Sequence, residues 1–96
     1  MSSLTSLNFP RKDKDEKIPY AVDWSQLIET AEVIDTAVIT VTGANKLGES
    51  VSPDGKTTTV IIGGGTAGAI VKVHIHITTD TLVEHERTIN LEIVDK

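Results

Sequence analysis

The feature that most constrains this chain is its load of β-branched side chains. Threonine, isoleucine and valine fill 13, 11 and 10 positions, together 34 of 96. Such residues are stiff at χ1 and pack well on a pleated surface. They fall in short runs separated by Gly-, Pro-, Asp- and Asn-containing groups, the pattern of many strands joined by turns. No amphipathic helical segment of 10–15 residues separates the runs, which excludes repeated βαβ units. The expected fold is all-β, an immunoglobulin-like antiparallel β-sandwich of six or seven strands with at most one short helical turn.

With no cysteine in the chain, the core must hold without disulfides or thiolate-bound metal. The aromatics are Phe9, Tyr20 and Trp24, so the interior is aliphatic, with Trp24 expected to plug one end. A formal charge of -5 and the absence of a basic stripe argue against a nucleic-acid partner. No run approaches the length of a membrane span, so no membrane partner is expected. Residues 1–10 lack the apolar core and cleavage site of a signal peptide.

Residues 1–17 read as an extended arm and residues 18–96 as one sandwich domain. The arm's charged stretch from Arg11 to Lys17 balances much of its own charge and reads as solvated. Leu4, Leu7 and Phe9 are apolar anchors at irregular spacing. They are candidate partner contacts, with packing along the arm's own domain or disorder as the plainer reading. Removing residues 1–16 is expected to leave the domain folded and to weaken assembly.

Ile18 to Asp23 reads as a strand whose Pro19 marks an edge or entry position. Asp23 can cap the turn that follows, tucking Trp24 and Leu27 inward. Val33 to Thr42 is the first long strand, with Ala37, Ile39 and Val41 on one face. Residues 43–56 read as a long irregular connection or one short strand near Val51, with a turn at Pro53-Asp54-Gly55. Thr57 to Ile62 carries no charge, which suits a central strand or one laid against a neighbour. Gly64, Gly65 and Gly68 form a corner before strands from Ala69 to Thr78 and from Glu84 to Val94.

The last two strands allow a register argument. Val71, Val73, Ile75 and Ile77 share one face; Ile89, Leu91 and Ile93 share one face of the partner. Core must oppose core, so paired residue numbers sum to an even constant. A sum of 162 leaves Asp80, Thr81 and Leu82 as the loop, pairs Val73 with Ile89 and Ile75 with Arg87, and sets His76 opposite Glu86. Sums of 160 and 164 satisfy the same parity. Arg87 then lies at the end of the core, where its stem covers apolar surface and its guanidinium reaches solvent or an acid.

No catalytic constellation emerges. The glycine corner has Ala69 and Ile70 where a phosphate loop needs Lys and Ser/Thr. No serine occupies a nucleophile elbow, and no carboxylate sits within an apolar run that would raise its pKa. His74, His76 and Glu86 form a trio by spacing alone, better explained as a solvated outer face than as a metal site. No catalytic residue, metal site or cofactor is therefore assigned. Asp23, Trp24, Leu27, Gly64, Gly65, Gly68 and Arg87 are the expected structural determinants.

Several fragments in order carry a resemblance. Pro10 is followed by Lys12-Asp13-Lys14-Asp15-Glu16, then by Tyr20-Ala21-Val22-Asp23-Trp24-Ser25 and Leu27. Ile34-Asp35-Thr36-Ala37, the corner Gly64-Gly65-Thr66-Ala67-Gly68, the strand end Ile75-His76-Ile77-Thr78-Thr79 and Glu86-Arg87-Thr88 come after. Together they resemble a family of small tailed-bacteriophage virion proteins of the fiber-tail adaptor type. The resemblance implies a virion component at the tail, neck or portal vertex, made in the bacterial host cytoplasm. It further implies assembly as copies in a ring that joins other phage virion proteins. A capsid or tail decoration protein and a non-viral interaction or carbohydrate-binding module are the alternatives.

Overall fold

The computed structural model describes residues 11–95. Seven strands follow one another: β1 (Lys12–Asp13), β2 (Ile18–Asp23), β3 (Ile34–Thr42), β4 (Asn45–Val51), β5 (Thr57–Gly63), β6 (Ile70–Thr79) and β7 (Glu84–Val94). They form a four-stranded sheet in the order β1-β7-β6-β3 and a three-stranded sheet in the order β2-β5-β4. The chain crosses between the sheets from β1 to β2, from β2 to β3, from β3 to β4 and from β5 to β6. This is the immunoglobulin-like arrangement, with no helix among the described residues. One departure from a purely antiparallel sandwich is β1, which pairs with β7 in parallel through Lys12 with Ile93 and Asp13 with Val94.

The hairpin β6–β7 adopts the 162 register from Ile70 opposite Glu92 to Thr78 opposite Glu84. Its inward side chains, Val71, Val73, Ile75, Ile77, Ile89, Leu91 and Ile93, are all buried. Facing them from the smaller sheet are Tyr20, Val60 and Ile62, while Trp24, Ile28 and Ile34 close one end. At about 25 cal/mol per Å² of apolar surface removed from water, this interdigitated layer is the main source of stability. The loop is Asp80-Thr81-Leu82, closed by the Thr79 N–H donating to the Val83 carbonyl at 2.8 Å. Leu82 takes φ 69° there, a left-handed conformation that a side chain normally resists.

Strand β5 is central, flanked by β2 and β4, which accounts for its lack of charge. Pro19 lies on the edge strand β2. In β3, Ala37, Ile39 and Val41 face inward, and a register shift between Ile34 and Thr36 lets Ile34 join them despite its opposite parity. Such a bulge re-aims a side chain at a strand end.

Residues 43–56 are better ordered than expected. Asn45–Val51 is a seven-residue strand paired with β5, with a register shift between Lys46 and Gly48. Its polar sequence and bulge are those of an edge strand, and they hide the alternation by which a strand is recognised. The turn at Pro53-Asp54-Gly55 links it to β5, with Gly55 at φ 72°. The solvated-arm reading also needs correction, because Lys12 is fully buried.

Candidate interaction surface

The turns gather at the two ends of the sandwich. At the first end, the Asp23 carboxylate accepts the Ser25 N–H at 2.9 Å, which holds it below the usual carboxylate range. The Leu27 N–H then donates to the Trp24 carbonyl at 2.9 Å. This single turn seats Trp24 wholly inside the core, with Ile28 buried and Leu27 packed half-buried beside them. The indole Nε1–H donates to Thr58 Oγ1 at 2.9 Å. The Arg87 guanidinium carbon lies 5.4 Å from the indole ring centroid, within range of a cation–π contact. Trp24 and Arg87 therefore meet at one place, although they come from a turn and a distant strand.

Two residues that sequence reasoning missed lock this end. Glu32, 5% exposed, accepts the Thr79 hydroxyl at 2.6 Å, the Thr81 hydroxyl and the Glu29 N–H at 2.9 Å. These three donors, the Thr79 hydroxyl first, pull its carboxyl pKa down to about 2. Lys56 caps three carbonyls of the same segment, those of Glu29 at 3.0 Å, Thr30 at 2.9 Å and Glu32. A charged residue within a polar loop gives no sequence signal that it will turn inward.

The other end holds the glycine corner and the start of the described chain. Gly64, Gly65 and Gly68 all adopt positive φ, at 72°, 100° and 88°. A Cβ on Gly65 would lie 2.8 Å from Ile93 Cγ1, so this glycine is required by space as well as by conformation. Lys12 was also missed. Its ammonium donates to the carbonyls of Asp13 and Gly64, each at 2.7 Å, tying β1 to the corner. The candidate contacts Leu4, Leu7 and Phe9 lie outside the described residues.

The outer face of the larger sheet carries the histidines. His74 Nε2 lies 2.9 Å from Glu86 Oε1 and His76 Nε2 lies 2.6 Å from Glu84 Oε1. His76 and Glu86 are opposite in register, but their nearest approach is 3.9 Å, because each imidazole leans toward a diagonal partner. No group of three His, Cys, Asp or Glu among the described residues is placed to hold a metal ion. Across the two sheets and their loops, the molecule offers edges, loop tips and exposed apolar side chains such as Val38, Leu47, Ile70 and Leu82.

The fold is that of a small immunoglobulin-like sandwich of seven strands in two sheets. The sequence matches the family described as podophage GP4 fiber-tail adaptor protein gp77 over residues 12–92, and the chain belongs to that family. It is a phage virion structural adaptor that joins other virion components, consistent with a non-enzymatic function. The search of curated proteins returned no match. Among solved structures, it is similar to the solution structure of the PKD domain from KIAA 1837 protein, at 13% identity and a TM-score of 0.49, covering 100% of this chain and 91% of that one.

Proposed function

We propose that the chain acts as repeated copies in a ring at the tail, neck or portal vertex, made in the host cytoplasm and incorporated into the virion. Family membership over residues 12–92 carries this reading. The sandwich is the rigid body, and residues 1–10, with Leu4, Leu7 and Phe9, reach a neighbouring virion protein. Two observations support this use of the arm. Strand β1, the first element after the arm, lies at an outer edge of the larger sheet. Lys12 then anchors its root at the glycine corner, so that a contact made by the arm is transmitted to a fixed point of the fold. Ring assembly multiplies weak contacts through effective concentration. Neither nucleic acid nor membrane is a partner in this reading.

Strand β1 pairs with β7 and so lies within the larger sheet. The informative truncation therefore removes residues 1–10 and spares β1. The truncated protein should keep the circular dichroism spectrum and melting temperature of the full chain while losing assembly in mass photometry. Unfolding on truncation, or assembly at full strength without the arm, contradicts the reading.

A further inference from the structure

We propose that the free edge of β3 pairs with the same edge of a second copy, antiparallel and centred on Ile39. The inference does not depend on where in the virion the protein sits.

Among the described residues the sandwich has four sheet edges, and three are guarded by the strands' own length, sequence or bulge. Strand β1 is two residues long, β2 carries Pro19 and ends in Asp23, and β4 is bulged and bears Lys46 and Glu49. Among the described residues, strand β3 is nine residues long and pairs only with β6. From Thr36 to Thr42 it reads Thr-Ala-Val-Ile-Thr-Val-Thr, without charge, proline or glycine. Val38 on its outer face is 61% exposed.

The hydrogen-bond alternation fixes which backbone groups are available. The Thr79 N–H bonds to the Val83 carbonyl and the Ile93 N–H to the Ala69 carbonyl. Odd-numbered residues of β6 therefore bond to β7 and even-numbered ones to β3. In β3 the residues opposite those even positions are Thr36, Val38, Thr40 and Thr42. Ala37, Ile39 and Val41 then point their N–H and C=O groups away from β6, into the open edge. The Ile39 carbonyl agrees with this assignment, since it accepts Lys46 Nζ at 2.9 Å.

A second copy fits this edge because the segment is nearly its own reverse. About Ile39, a two-fold axis sets Thr36 against Thr42, Ala37 against Val41, Val38 against Thr40 and Ile39 against itself. Ala37, Ile39 and Val41 then form three hydrogen-bonded pairs with the partner copy, and no like charges face one another. The axis stands perpendicular to the sheet, so inner faces stay inner and two four-stranded sheets become one of eight. Such an isologous contact closes on itself. Lys46 reaches this edge from β4. Its ammonium also bonds Glu49 Oε1 at 2.8 Å and must leave the Ile39 carbonyl when the strands join.

The full chain contains no cysteine, so introduced thiols report the register directly. Val38 and Thr40' form a non-hydrogen-bonded pair with Cα atoms about 4.5 Å apart, within disulfide range. Val38→Cys and Thr40→Cys proteins should cross-link on oxidation when mixed and not when each is alone. In sedimentation over roughly 10 µM to 1 mM, the native chain should dimerise, with Val38→Lys weakening and Lys46→Ala strengthening the constant by about tenfold each. Circular dichroism confirms that the exposed substitutions leave the fold intact. A native chain monomeric throughout that range overturns the proposal. A dimer untouched by Val38→Lys but lost on deleting residues 1–10, or a Val38→Cys protein that cross-links with itself, does so equally.

Discussion

Replacing Thr58 by valine tests how the core end is held. Thr58 is 1% exposed and Trp24 fully enclosed, and the indole Nε1–H donates to the threonine hydroxyl at 2.9 Å. Valine keeps the shape and removes the acceptor, so a buried donor is left without its partner. That omission costs about 1–3 kcal/mol, a large share of the roughly 5–15 kcal/mol that holds a domain together. For a chain of this size it lowers Tm by about 4–20 °C. Thr58→Ser keeps the acceptor and should lose less, on the order of 0.5–1.5 kcal/mol for the missing methyl. In a Trp24→Phe background, Thr58→Val should cost far less than in the native chain, because both polar partners are then gone. Urea denaturation of the four proteins, with unchanged m-values, gives the coupling directly. A Thr58→Val protein within about 0.5 kcal/mol of native, or equal costs in both backgrounds, would refute the claim that this bond secures Trp24.

Gly65→Ala should destabilise by roughly 2–4 kcal/mol, since it combines left-handed strain with a clash against Ile93; Gly68→Ala meets no atom within 4 Å and should lose only about 1 kcal/mol, both read from denaturant midpoints. Leu82→Gly should raise stability by about 0.5–1 kcal/mol, because the relief at φ 69° exceeds the entropic cost of glycine; a loss of stability would show that the Leu82 side chain supports the hairpin. The Glu32 carboxyl titrates near 2 when folded and in the ordinary range when unfolded. Its contribution is therefore complete above the unfolded pKa and lost as pH falls from about 4.5 to about 2. Native chain and Glu32→Gln should accordingly converge in Tm across that window, and a constant gap between them would count against the three-donor site.

The legible parts of this fold were those written in side-chain alternation. The parity of the β6–β7 register followed from two apolar faces that had to coincide, with the 162 sum the one that leaves Asp80, Thr81 and Leu82 as the loop, and the burial of Trp24 from a single tryptophan beside a capped turn. Strand β4 was obscured because Asn45, Lys46, Gly48, Glu49 and Ser50 belong equally to a loop, and only pairing with β5 makes them a strand. Lys12 and Glu32 were invisible for a related reason. Each sits among other charges, where solvation is the default, and each is drawn inward by partners distant in sequence: the Gly64 carbonyl for Lys12, the Thr79 and Thr81 hydroxyls for Glu32. The bulge at the start of β3 likewise has no local signal; it is the price of bringing Ile34 into a core whose parity it does not share.

Electron microscopy of the parent particle, at a resolution that traces side chains, measures the role most directly. The account predicts this sandwich in several copies where tail components meet, held through strand edges, loop tips and residues 1–10 seated against a neighbour. Its absence from the particle, or attachment to nucleic acid with the arm and sheet edges facing solvent, would contradict it.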